Sequence, residues 1–405
     1  MNLFLDYTDK NIKNLEIKIS GSKSESNRLL ILQQWFPNLV LENLSDSDDT
    51  IHLTEALNSN TDIIDIGHAG TAMRFLTAYF SIIEGREVTL TGSERMQNRP
   101  IKILVEALRS LDAKIAYLEK EGYPPLKITG KTITKNKVRI SGNVSSQYIS
   151  ALVLIAPHLK NGLELELLEE ITSRPYLEMT LNLLNQLGIT TSWKDNIIKI
   201  GYKKNIEDRK IVIESDWSSA SYFYSLVALS KTGSSIELTS YKKQSLQGDS
   251  CLFDIYKNFG VKTTFKNNTI KISKSNEVIR AVKYSFDLKN APDLAQTIVV
   301  TAFGLGLGCD LTGLHTLKIK ETDRLVALLN ELEKLGANVE ITNKSIHLKP
   351  SAFIEKNCII KTYNDHRMAM AFAPLALKVP ITIEDADVVT KSYVNFWKDL
   401  ASCFD

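Results

Sequence analysis

Neither sign of charge dominates this chain: 49 Lys and Arg face 47 Asp and Glu, a net charge of +2. That balance provides no basic face for a general nucleic-acid binder, though local clusters remain able to hold small anions. Cysteine is scarce. Cys251, Cys309, Cys358 and Cys403 are widely spaced and form no C-x-x-C, so we expect reduced thiols, with neither a disulfide frame nor a zinc site. No H-E-x-x-H or paired-histidine cluster points to a metal, and His52, His158, His315 and His347 stand apart and read as structural. GSKSESNR (21–28) lacks the first glycine of a phosphate-binding G-x-x-x-x-G-K-S/T loop, and no G-x-G-x-x-G opens a helix after a strand. The longest nearly apolar run, around Thr297–Gly308, is too short to span a bilayer. The opening MNLFLDYTDKNIKN has no basic stretch leading into an apolar one. We therefore expect a cytoplasmic protein.

What the chain has is an ordinary globular composition, 43% hydrophobic and 24% charged. Its 405 residues suffice for two or three domains. One pattern recurs six times: a polar or glycine-rich start, an apolar helix-like run, a brief turn and a short strand. The helix starts are SESNRLLIL (24–32), AGTAMRFLTAYF (69–80), SSQYISALVLI (145–155), SSASYFYSLVAL (218–229), PDLAQTIVVTAF (292–303) and DHRMAMAFAPLAL (365–377). The strands that follow centre on Leu41, Leu90, Leu165, Leu238, Leu311 and Ile383, spaced 49, 75, 73, 73 and 72 residues apart. The short first gap predicts a reduced connection in unit one. A second set of helices ends at Leu111, Leu187, Phe259 and Leu335 on nearly the same beat. Gly188, Gly260 and Gly336 follow where a helix C-terminus wants positive φ, with Asp112 in the first copy. Strands and two helices per unit predict an α/β fold. Six units divide as three and three, with a boundary near Ser215. The strand-like LEIKI before Lys23 fits either half.

A helix N-terminus presents unpaired N–H groups and about half a positive charge, and several converging make an anion site. The starts here carry groups suited to anions and hydroxyls: Lys23, Ser24 and Arg28; Gly70, Thr71 and Arg74; Ser145, Ser146 and Gln147; Asp365, His366 and Arg367. Ser and Thr also serve as plain N-caps. Arginine usage favours ligands over caps. Of only 12 arginines, seven lie in the motif segments: Arg28, Arg74, Arg95, Arg99, Arg174, Arg324 and Arg367. Arginine forks phosphate and carboxylate better than lysine does, so more than one anionic group is expected. KIKETDR (318–324) brings Lys320, Glu321, Asp323 and Arg324 to a helix start, and Asp293 follows Pro292 at another. A carboxylate beside a cation and a substrate hydroxyl can shuttle protons, and spacing alone leaves open which one does.

Nine motifs, GSKSESNR, GHAGTAMR, RMQNRP, SSQY, SRPY, DWSSASYF, PDLAQT, KETDR and YNDHRMAMAF, occur in the order seen in the 5-enolpyruvylshikimate-3-phosphate synthase family, which the chain resembles from about residue 19 to its end. The resemblance implies an inside-out α/β barrel fold of two pseudo-symmetric domains, each of three repeated βαβαββ units with helices inside. One domain would comprise residues 1–20 with 216–405 and the other 21–215, with the active site in the cleft between them. It implies transfer of the enolpyruvyl group of phosphoenolpyruvate to the 5-hydroxyl of shikimate 3-phosphate, by addition and elimination through a tetrahedral intermediate, with no cofactor, metal, membrane or nucleic acid and a monomeric chain. Carried over by motif, Lys23 and Gln147 touch both substrates. Ser24, Arg28, Ser145, Ser146, Ser173, Tyr176, Asp293 and Lys320 hold shikimate 3-phosphate. Gly70, Arg99, Arg324, Arg367 and Lys391 hold phosphoenolpyruvate. Asp293 takes the hydroxyl proton, Glu321 handles proton traffic at C3, and Lys23 assists. Ser20, His68, Thr316 and Val394 depart from the usual pattern. The competing readings are the sister enzyme acting on UDP-N-acetylglucosamine, which usually has a reactive Cys or Asp in its first half, and a non-catalytic anion-binding paralogue, which would be expected to lose Asp293, Glu321 or Lys23.

Overall fold

The structure is a computed structural model that describes residues 1–405 except 144, 170, 172–173, 276–281 and 405. The chain divides into two compact units, residues 1–20 with 214–405, and residues 21–213. All six recurring runs are helical: Lys23–Trp35, Gly70–Ser81, Ser146–Ile155, Trp217–Leu229, Ala295–Gly304 and His366–Phe372. The strands after them are Leu39–Glu42, Glu87–Thr91, Leu163–Leu168, Ser235–Thr239, Gly308–Thr312 and Ile381–Ile383. Each contains the residue on which the periodicity is centred.

These helices lie inside because their sequences allow nothing else. Every residue of Trp217–Leu229 and of Ala295–Gly304 is buried, as expected for helices that are apolar or small-residued on all sides. Within residues 21–213, the helices at Lys23, Gly70 and Ser146 pack on one another. Within the other unit, those at Trp217, Ala295 and His366 do the same. The sheets cover them, and strands such as Leu163–Leu168 alternate buried with less buried residues, one face inward and one toward water.

Four four-stranded sheets share one plan, a parallel pair continued by an antiparallel hairpin. Ile63–Asp65 runs parallel to Glu87–Thr91, which pairs antiparallel with Leu126–Thr129 and that with Lys114–Tyr117. The other three are built around Leu163–Leu168, Ser235–Thr239 and Gly308–Thr312. Two units lack the hairpin. Among the described residues Leu39–Glu42 pairs only with Arg209–Val212, matching the reduced first connection, and Ile381–Ile383 lies between Leu3–Leu5 and Cys358–Ile360. The ambiguous LEIKI is settled by pairing: Leu15–Ile17 runs parallel to Ile236–Leu238 and belongs with the second half. The second beat is visible in the backbone. Asp112, Gly188, Gly260 and Gly336 have φ of 77°, 72°, 76° and 89°, the left-handed turn that ends each outer helix. Among the described residues, no helix is long and apolar enough to cross a membrane.

Candidate active site

In residues 21–213, the helices at Lys23 and Gly70 begin without a side-chain cap. Their N-cap residues, Ser22 and Ala69, accept no side-chain hydrogen bond from the first turn, which suits an incoming anion. Only the third start has one, where the Ser145 hydroxyl accepts from the Gln147 N–H at 3.4 Å. Lys23 is half-buried, and its ammonium has no hydrogen-bond or ion-pair partner among the described residues. Gln147 reaches from the third helix to the second, its Nε2 donating to Thr71 Oγ1 at 3.2 Å. A Cβ at Gly70 would lie 3.0 Å from Arg99 Cζ, so only glycine lets that guanidinium rest on the helix end. Arg74 supports the arrangement from below. It donates to the carbonyls of Gly70 and Pro100, both at 3.1 Å, and Tyr148 donates to the same Pro100 carbonyl at 2.6 Å. Burial, then the neighbouring Arg99, lowers the Arg74 guanidinium to about 10. His68 lies 3.5 Å from Asp48, with the His52 ring edge-on to its own at 6.0 Å.

Arg28 is turned inward. Its Nε donates to Thr180 Oγ1 at 2.7 Å, Nη1 to the Ser24 carbonyl at 2.8 Å, and Nη2 to Ser150 Oγ at 3.1 Å and the Tyr176 carbonyl at 3.3 Å. Those bonds commit four of its five N–H groups, and burial lowers it to about 10. It joins the helix starts at Ser24 and Tyr176 to the helix carrying Ser150. The carbonyls of Ser24 and Tyr176 lie at this junction, and Ser173 lies outside the described residues. Thr180, Ser150 and Tyr148 were not singled out in the sequence, because nothing in their local pattern marks a long-range partner.

In the other unit, one guanidinium collects three carboxylates. Arg324, 1% exposed, donates from Nε to Asp365 at 2.6 Å, from Nη1 to Asp293 at 2.8 Å, and from Nη2 to Glu321 at 2.7 Å and to Asp365 at 3.3 Å. Asp293 also meets Arg367 Nη2 at 3.1 Å and Lys320 Nζ at 3.4 Å. Three cations thus face one carboxylate. Helix N-termini place the players. Asp323 caps the helix that begins with Arg324, and Asp365 caps the next one through the Arg367 N–H at 2.9 Å. Lys391 donates to the Asn364 carbonyl at 2.8 Å, beside that second cap. The seven motif arginines therefore do not act alike. Arg324 and Arg367 enter a buried ion network, whereas Arg174 pairs with Glu178 at 2.7 Å on the surface.

Asp249, which no sequence pattern flagged, completes the set. The Ser218 hydroxyl donates to it and accepts from Arg367 Nη2 at 3.2 Å. Burial, then the charge of Asp293, pushes the Asp249 carboxyl up to about 6. A raised carboxyl holds its proton in the folded state after the unfolded chain has lost it. Stability therefore falls as pH climbs from the ordinary carboxyl value to about 6, and the full penalty stands above that. Asp249→Asn is expected to raise the unfolding midpoint at pH 7.5, and by clearly less at pH 4.5. Equal gains at both pH values, or none at pH 7.5, would refute that account.

His347 is not isolated: its Nδ1 meets Asp310 across the strands and its Nε2 meets Ser345, both at 2.8 Å. Ser345 is buried against Thr342, so this is a cross-strand staple. Among the described residues, no group of three His, Cys, Asp or Glu is placed to hold a metal.

Sheets over packed inner helices are the fold the chain shares with solved enolpyruvyl transferases. The chain superposes over its full length on EPSP synthase from Acinetobacter baumannii (TM-score 0.81, 19% identity, 98% of that chain). It also superposes over its full length on the enolpyruvyl transferase NikO from Streptomyces tendae (TM-score 0.74, 13% identity, 98% of that chain). Residues 38–400 match the family model described as EPSP synthase (3-phosphoshikimate 1-carboxyvinyltransferase). A 3-phosphoshikimate 1-carboxyvinyltransferase from Bacteroides fragilis (strain YCH46) is 46% identical over 95% of this chain and 94% of its own. One from Mannheimia haemolytica is 35% identical over 95% of each. The chain belongs to the EPSP synthase family.

Proposed function

We propose that the chain transfers the enolpyruvyl group of phosphoenolpyruvate to the 5-hydroxyl of shikimate 3-phosphate and releases phosphate, a step toward chorismate and the aromatic amino acids. Family membership supports the reaction. The observation that carries it to particular residues is Asp293, ringed by Arg324, Arg367 and Lys320 and joined through Arg324 to Glu321.

In the addition step, the hydroxyl oxygen bonds to C2 while its proton passes to Asp293. C3 gains a proton through Glu321, with Lys23 assisting. In the elimination, the C2–O bond to phosphate breaks, C3 returns a proton to Glu321, and the proton on Asp293 leaves with phosphate. Arg99, Arg324, Arg367 and Lys391 offset the charge of phosphoenolpyruvate and of the departing phosphate, with Gly70 leaving room for the ligand at its helix end. Ser24, Arg28, Ser145, Ser146, Ser173, Tyr176 and Lys320 hold shikimate 3-phosphate, and Gln147 and Lys23 face both substrates. The two units, taken as residues 1–20 with 216–405 and residues 21–215, contribute to one reaction, and the working form is a cytoplasmic monomer.

Phosphate release tests the reading. Phosphoenolpyruvate with shikimate 3-phosphate is expected to release phosphate, and phosphoenolpyruvate with UDP-N-acetylglucosamine is not. Release only in the second mixture would void the shikimate assignments. Silence of the folded protein in both would point to a non-catalytic paralogue.

A further inference from the structure

Two consecutive residues just before the Asp365 cap, Tyr363 and Asn364, have φ of 54° and 56°. Side-chain-bearing residues adopt that left-handed backbone rarely, and it persists where surrounding contacts over-determine it. Here three of the contacts come from one helix, Arg324–Lys334. Its first residue holds the Asp365 carboxylate. Seven residues on, about two turns along the same face, Glu331 is 0% exposed. Glu331 Oε1 accepts from the Tyr363 hydroxyl at 2.6 Å, and Oε2 from the Lys361 N–H at 3.1 Å. Lys334 neutralises it, reaching both oxygens at 2.8 and 2.7 Å. The segment 361–365 is thus held at Lys361, Tyr363 and Asp365 by one rigid element. Closing the turn, the Asp365 N–H donates to the Thr362 carbonyl at 2.8 Å.

The left-handed pair has two consequences for charge. It presents the Asn364 carbonyl to Lys391, and it delivers Asp365 to the helix start where Arg367 follows. We propose that Glu331 and Tyr363 are positioning residues: they hold the turn that sets Lys391 and Arg367, and so tune affinity for phosphoenolpyruvate without touching it. The choice of ligand rests on the function proposed above, whereas the placement of the turn does not.

The test uses the full chain with Tyr363→Phe, which removes one hydroxyl, and Glu331→Gln as a second variant. Tyr363→Phe is expected to raise KM for phosphoenolpyruvate about 5–20-fold, below the roughly 10–150-fold that one hydrogen bond to a charged group is worth in full, because only part of the loss reaches Lys391. KM for shikimate 3-phosphate and kcat should stay near the parent values. Added to Lys391→Ala, Tyr363→Phe should have clearly less effect than it has alone, because both act through one cation. A merely structural staple would lower the melting temperature, leave both KM values alone and combine additively with Lys391→Ala; that result overturns the proposal. Amide hydrogen exchange at Asp365 supplies a readout independent of activity. It should accelerate in both variants, and unchanged protection overturns the proposal even if the parent chain proves to use another acceptor. Loss of phosphate release by the parent chain itself would instead sink the functional reading.

Discussion

Asp293→Asn is expected to slow turnover about 10²–10⁴-fold, the range for losing a general base, with both KM values nearly unchanged. The amide keeps the shape of the carboxylate and an oxygen to accept from Arg324 or Arg367, so the cations keep a partner. It cannot take the hydroxyl proton. Glu321→Gln should fall in the same range, for a different reason, since Glu321 is assigned to the C3 proton and shares Arg324 with Asp293. Together the two changes should cost less than the product of their separate effects, because both serve one proton economy and share Arg324. Single-turnover phosphate release checks this. Near-normal turnover in either variant removes that residue from the mechanism. A large rise in KM with kcat intact would recast Asp293 as a clamp for Arg367 and Lys320.

The fold was legible where each unit has to solve the same burial problem. An apolar helix and its strand recur every seventy-odd residues because neither can bury its face alone, and all six helices and strands stand where that period puts them. Turn chemistry was legible too, even where Asp112 replaces glycine, because a helix end of that shape selects positive φ. Pairing was not. LEIKI reads as a strand, yet its partner, Ser235–Thr239, lies more than 200 residues away, and no local signal can specify that. The site divides in the same manner. Clustered arginines announced anion chemistry, but the same residue type came to three ends: Arg99 at a helix start, Arg28 locked among hydroxyls and carbonyls, and Arg174 on the surface. Asp249 was invisible because its meaning depends on Ser218 and Arg367, which reach it only through the fold. Asp365 was visible at a helix start, yet its grip on Arg324 was not.

Arg324→Met should be the most damaging substitution for the folded state. Arg324 and Asp365 are 1% and 0% exposed, so water screens neither charge. Removing the guanidinium leaves Asp365 buried and uncompensated and strips partners from Asp293 and Glu321. Breaking a buried pair in this way costs about 3–5 kcal/mol. The sign with pH follows from the same picture. An uncompensated buried carboxyl has its pKa raised in the folded variant, so it takes up a proton as pH falls, and the penalty shrinks. The stability gap between parent and variant should therefore be wide at pH 8 and narrower at pH 5, read by denaturant titration. Arg324→Lys should fare better than Met but well below the parent, since an ammonium keeps the charge and lacks the fork that reaches three carboxylates at once. Adding Asp365→Asn to Arg324→Met should recover part of the loss by removing the stranded charge. If that second change instead deepens the loss, Asp365 matters chiefly as the cap of its own helix, and Arg324 answers mainly to Asp293 and Glu321.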